Sequence, residues 1–105
     1  MDIGLSKGGI PIRLTSERWH HITTGHLEMA DYYYEILESI ETPDIIYGGN
    51  NGAKIAIKKF QEGIDRHIVV VYKETGINDG FVITAHFSNK SLDFQKKKIL
   101  WKQLN

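Results

Sequence analysis

The stretch Tyr33-Tyr34-Glu35-Ile36-Leu37-Glu38-Ser39-Ile40-Glu41-Thr42-Pro43-Asp44-Ile45-Ile46-Tyr47 decides the fold, because the spacing of its apolar residues changes partway along. Tyr33, Ile36, Leu37 and Ile40 recur at i, i+3, i+4 and i+7, which places them on one face of a helix. The spacing predicts a helix over about residues 29–41. Pro43 closes it, since proline lacks the N–H that a helix interior requires. Beyond Pro43 the period becomes two, the signature of strands.

On the C-terminal side, Asp44-Ile45-Ile46-Tyr47 reads as a short strand, and Gly48-Gly49-Asn50-Asn51-Gly52 as a turn. Residues 53–60 alternate, with Ala53, Ile55 and Ile57 on one side and Lys54, Ala56 and Lys58 on the other. Glu62-Gly63-Ile64-Asp65 is a turn, and Ile68-Val69-Val70-Val71-Tyr72 suits a central strand. Asn78-Asp79-Gly80 signals a hairpin. Phe81, Ile83, Ala85 and Phe87 alternate with Val82, Thr84 and His86. The lysine-rich tail from Ser91 to Leu104 leans towards helix.

On the N-terminal side, Thr15 or Ser16 caps a first helix that Glu17 complements electrostatically. It is expected to run to Thr24, with Gly25 as a left-handed stop. Ile10 to Leu14 suits an edge strand or extended arm, and residues 1–9 a flexible lead-in. Two helices followed by a run of antiparallel strands define an α+β fold, with residues 1–105 as one domain. Ile55, Ile57, Phe81, Ile83 and Phe87 are expected to pack on the helices. Lys54, Lys58, Thr84 and His86 are expected on the opposite face.

Composition excludes several functions. The chain has no cysteine, which removes disulfides, thiolate zinc sites and cysteine nucleophiles. No apolar run approaches the roughly 20 residues that span a bilayer, and the N-terminus lacks a signal-peptide pattern. The expected location is cytoplasmic, with no membrane partner. The formal net charge is zero, yet residues 1–52 carry three basic and eight acidic side chains, whereas residues 53–105 carry ten and five. That split marks either an anion-binding second half or two differently solvated surfaces. Metal chemistry is not expected: His21 and His26 are five apart, not the four that aligns two ligands on a helix, and no H-E-x-x-H motif occurs. Serine-hydrolase elbows, P-loops and dinucleotide fingerprints are also absent. No cofactor is called for.

Arg13-Leu14-Thr15-x-x-Arg18-Trp19-x-His21-Ile22-x-x-x-His26 resembles the N-terminal signature of the phage-type branch of the barnase–EndoU–colicin–RelE-like (BECR) nucleases. Ile40-Glu41-Thr42-Pro43-Asp44 resembles the end of that family's second helix. Val69-Val70-Val71 and Ile83-Thr84-Ala85-His86-Phe87 resemble its two core strands. The similarity spans about residues 10–88. It implies two N-terminal helices on a curved antiparallel sheet of about four strands. It also implies a metal-independent endoribonuclease, a toxin or mobile-element effector that an antitoxin or immunity protein holds in check. Two positions depart from the pattern: Leu27 stands where proline commonly follows the last histidine, and His86 where tyrosine is common. The second leaves open a non-catalytic RNA- or protein-binding module on the same fold.

The residue types suit that chemistry. RNA cleavage through the ribose 2′-OH needs a base, an acid and a cation beside the phosphorane. Histidine serves as base or acid near neutral pH, and arginine as the phosphate clamp. His21, on one helix face with Arg18, is the first choice of proton carrier; the competing reading is a surface pair. His26 follows the glycine stop and either faces the sheet catalytically or is a hydrogen-bonded core histidine. Arg13 either holds a phosphate at the helix N-terminus or forms a surface salt bridge. Thr84 and His86 share a sheet face and either contact the reacting phosphate or form a cross-strand polar pair. Lys54 and Lys58 either steer the RNA backbone or merely solvate the sheet. Tyr32 and Tyr34, flanking the core residue Tyr33, either stack on bases or meet a protein partner.

Overall fold

The structure is a computed structural model and describes residues 2–60, 66–89 and 97–104. The helical stretch forms where the spacing places it, though in two pieces. A 3-10 turn, Leu27–Asp31, leads into helix α2, Tyr33–Glu41, which buries Ile36, Leu37 and Ile40. Full burial of aliphatic side chains of this size is worth about 1.5–3 kcal/mol each. Helix α1, Ser16–Gly25, starts at Thr15, whose hydroxyl accepts from the Arg18 N–H at 3.1 Å. It runs through Gly25 to a cap at His26, and Gly25 is not left-handed.

Seven strands form one sheet among the described residues: β1 (Asp2–Leu5), β2 (Pro11–Leu14), β3 (Ile45–Gly48), β4 (Lys54–Phe60), β5 (Arg66–Glu74), β6 (Gly80–Ser88) and β7 (Ile99–Lys102). Their spatial order is β1-β2-β6-β5-β4-β3-β7. β2 runs parallel to β6, and the other pairs are antiparallel. The expected architecture, two helices on about four antiparallel strands, is therefore corrected to a mixed, strand-dominated seven-stranded sheet. Three short strands account for the difference. β1 occupies the expected lead-in and pairs with β2, so β2 is interior and not an edge. β7 occupies part of the tail that leaned towards helix. Four-residue strands carry too few alternations to announce themselves. The turn assigned to residues 62–65 and the tail up to residue 96 lie outside the described residues.

The strong turns hold. Asn51 and Gly52 adopt positive φ, 56° and 78°, between β3 and β4, a region that asparagine and glycine enter with least strain. Gly4 is needed for another reason: a Cβ there would lie 3.0 Å from the Leu37 carbonyl oxygen of α2.

Face assignment requires a second correction. The main core joins α1 and α2 to Ala56, Ile68, Val70, Tyr72, Val82 and Ala85, with Phe60 and Phe87 at its margin. Ile55, Ile57 and Val69 form a separate apolar cluster with Ile45, Tyr47 and Val71. Of the five residues expected on the helices, Phe87 packs there, while Ile55 and Ile57 belong to this other cluster. Lys54 pairs in register with Tyr72, and Lys58 with Ile68, so both lysines stand on the helix side. The pattern misleads because Ile55-Ala56-Ile57 is apolar in both phases. In β6 the register shifts between Val71 and Tyr72, which inserts Ile83 and breaks the alternation.

Candidate active site

Pairing places Thr84 opposite Val71 and His86 opposite Val69, on the face away from the helices. β2 pairs with β6 only at Gly80 and Phe81. Beyond that point α1 and the 3-10 turn run past β6. The cap of α1 thereby brings His26 onto His86, with ring centroids 5.4 Å apart and planes inclined by 30°. Glu28 follows in the same turn, and one of its carboxylate oxygens lies 3.8 Å from His26 Nδ1. Two imidazoles and a carboxylate thus meet beside the part of β6 that β2 leaves unpaired.

Within this group, His86 has a shifted pKa. Burial, reinforced by the nearby His26, holds the pKa of His86 below the ordinary histidine value of 6.5, and Glu28 opposes the shift. That shift favours the neutral imidazole near pH 7. His26 stays partly exposed beside Glu28.

The other sequence candidates fall elsewhere. Arg18 and His21 line a shallow cavity of about 370 Å³ on α1, with Glu17, His20 and Thr24. Arg18 Nε lies 4.0 Å from the Glu17 carboxylate. Arg13 is taken up by Asp79: Nε donates at 2.8 Å and a terminal nitrogen at 3.1 Å. The pair raises the pKa of Arg13 and lowers that of Asp79.

Lys58 Nζ donates to the Thr42 carbonyl at 2.8 Å and so caps the end of α2. Lys54 is bonded to Glu74, whose other oxygen accepts from Ser6 at 2.5 Å. Those hydrogen bonds leave the carboxyl of Glu74 with a lowered pKa, although burial acts the other way and is the largest single cause. Both lysines have structural partners and stand off the face that carries Thr84 and His86. Tyr32 packs edge-on against Phe60 and Phe87 at 5.3 and 5.0 Å, which leaves Tyr34 as the exposed tyrosine of the three.

Two residues escaped the sequence reading. Glu28 carried no motif, and only the 3-10 turn brings it back to His26. His67, the fifth histidine, pairs with Ser88 on the same face as His86. Its Nδ1 is buried without a hydrogen-bond partner among the described residues. Strand register would have revealed His67, since residues 67 and 88 follow from continuing the Val69–His86 pairing by two. Among the described residues, no group of three histidine, aspartate or glutamate side chains is placed to hold a metal ion. No helix among them is long and apolar enough to cross a membrane.

This site lies where β6 extends past its pairing with β2, beside the cap of α1, and the same fold occurs in a solved toxin structure. The chain is similar to the Brucella abortus ribonuclease toxin BrnT, with a TM-score of 0.52 and 21% identity over 75% of this chain and 96% of that one. No family model matches the chain, and neither does any curated protein.

Proposed function

We propose that the chain is an endoribonuclease that cleaves RNA without a metal, by attack of the ribose 2′-OH on the adjacent phosphate. The observation that carries this reading is the His26–His86 stack with Glu28 beside it. Fold likeness to a ribonuclease toxin supports it, as does the resemblance of the first motif to BECR nucleases. On the same basis the protein acts as a toxin or mobile-element effector with a cognate antitoxin or immunity protein.

His86, held neutral, removes the 2′-OH proton. The 2′ oxygen then bonds to phosphorus while the P–O5′ bond breaks. Protonated His26 gives its proton to the leaving 5′ oxygen, and Glu28 steadies the imidazolium beforehand. The products are a 2′,3′-cyclic phosphate and a 5′-hydroxyl, and net proton transfer runs from His26 to His86. Thr84, two residues along the same strand face, hydrogen-bonds a phosphate oxygen. Arg18 and His21 hold the RNA backbone along α1, and His21 serves as binder instead of proton carrier. Arg13 reaches phosphate only by exchanging Asp79 for it.

Purified protein incubated with RNA in EDTA tests the reading. Cleavage ending in cyclic phosphate is expected. Absence of cleavage, or a requirement for added metal, overturns the mechanism. Salt-sensitive RNA binding without product would favour the non-catalytic module that His86, in place of tyrosine, leaves open.

A further inference from the structure

The sheet has two edges, and they are finished differently. At β1 the Leu5 N–H donates to Glu41 of α2 at 3.0 Å, and α2 presses against Gly4. That edge is partly closed by α2, with Ile3 and Leu5 still 52% exposed. At β7 no described strand lies on the outer side. Gln103 N–H and Lys98 C=O face β3, bonded to Asp44 and Gly48 at 2.9 and 2.8 Å. By alternation, the backbone groups of Ile99 and Lys102 face away from the sheet. Ile99 and Leu100 are 52% and 45% exposed. An open edge with exposed apolar side chains is a template for an added strand.

A cavity of about 200 Å³ adjoins this edge, lined by Leu100 and Trp101 together with Lys7, Lys54, Tyr72 and Glu74. The register shift opposite Ile46 and Tyr47 adds Leu100 to β7, which explains why neighbouring residues Leu100 and Trp101 both line it. Glu74 is satisfied by Lys54 and Ser6. The ammonium of Lys7 lies 4.9 Å from the Trp101 ring centre and has no ion-pair partner among the described residues. Lys97, Lys98 and Lys102 add positive charge along the strand, and no acidic residue occurs in 97–104.

We infer that β7 and this cavity dock an extended segment of a partner protein in which apolar residues alternate with aspartate or glutamate. The segment adds an eighth strand by pairing with Ile99 and Lys102 and sends one carboxylate to Lys7. A second copy of this chain is disfavoured, since antiparallel self-pairing sets three lysines against three. RNA cannot match alternating backbone donors and acceptors beside apolar side chains. The inference does not depend on the nuclease reading.

The probe is a short peptide alternating glutamate and valine, with a lysine–valine peptide as control. Hydrogen exchange in the full chain should show protection of residues 97–104 by the acidic peptide alone. Lys102→Pro removes an outward N–H, which an edge position tolerates, and should weaken binding tenfold or more with an unchanged melting temperature. Lys7→Glu should weaken it comparably and provides a second test should the proline variant fail to fold. The idea is overturned by any of four results: no protection, equal binding of the lysine peptide or by both variants, protection of 97–104 that grows with protein concentration alone, or protection by oligouridylate.

Discussion

Two histidine-bearing regions lie on and beside α1, and they differ in how they are held. Along the helix, Arg18, His20 and His21 border an open surface cavity, free to meet a ligand but not locked to one another. At the cap, His26 is fixed by three elements at once: the end of α1, the 3-10 turn carrying Glu28, and strand β6 carrying His86. Proton transfer demands fixed distances, whereas holding a polyanion demands only charge. Mutations at the cap should therefore remove chemistry, and mutations on the helix face should weaken binding.

The largest effect is expected from His86→Ala and His26→Ala. Each should lower kcat about 10²–10⁴-fold, the usual contribution of a positioned acid or base, with circular dichroism unchanged. An equal loss from His21→Ala would invert the comparison.

The next effect is on pH dependence. With the pKa of His86 held below 6.5, the acidic limb of kcat/KM should have its midpoint below that value, and activity should rise as pH rises through it. Glu28→Gln should move the limb further down, and His26→Asn should move it up in whatever activity remains. Stability follows the same linkage: the unfolded chain binds the proton more readily, so stability should decline as pH falls from 6.5 towards the folded-state value. A rate measured against pH in the three proteins checks the signs.

Smaller again, Arg18→Ala and His21→Ala should raise KM severalfold with kcat nearly unchanged, and steepen no pH limb. A single-turnover rate that drops with them would merge the two regions. The smallest expected change is Thr15→Ala, which removes the cap of α1 and should cost about 1 kcal/mol in urea unfolding. Both regions depend on α1, so activity should fall only as the folded fraction does.

Much of this was legible in the residues. The i, i+3, i+4, i+7 spacing of Tyr33 to Ile40, the Thr15 cap, and the Asn51-Gly52 turn are local, and local sterics settle them. Motifs single out His26 and His86, yet their meeting is not readable in the sequence, because it depends on β2 leaving β6 after Phe81. The faces of β4 and β6 are not legible where both phases are apolar and where Ile83 is inserted. Arg13 is open by sequence between a phosphate clamp and a surface salt bridge, and Asp79, 66 positions away in the chain, decides for the salt bridge by accepting from two of its nitrogens.

By itself the chain's order of residues determined α1, α2, the segments of β3 to β6 and the types of chemistry within reach, since propensity, capping and charge act over a few neighbouring positions. Tertiary structure alone decided the seven-strand pairing, which face each side chain took and which histidines became partners. Those outcomes turn on long-range register, and a single inserted residue sends every later side chain of a strand to the other side.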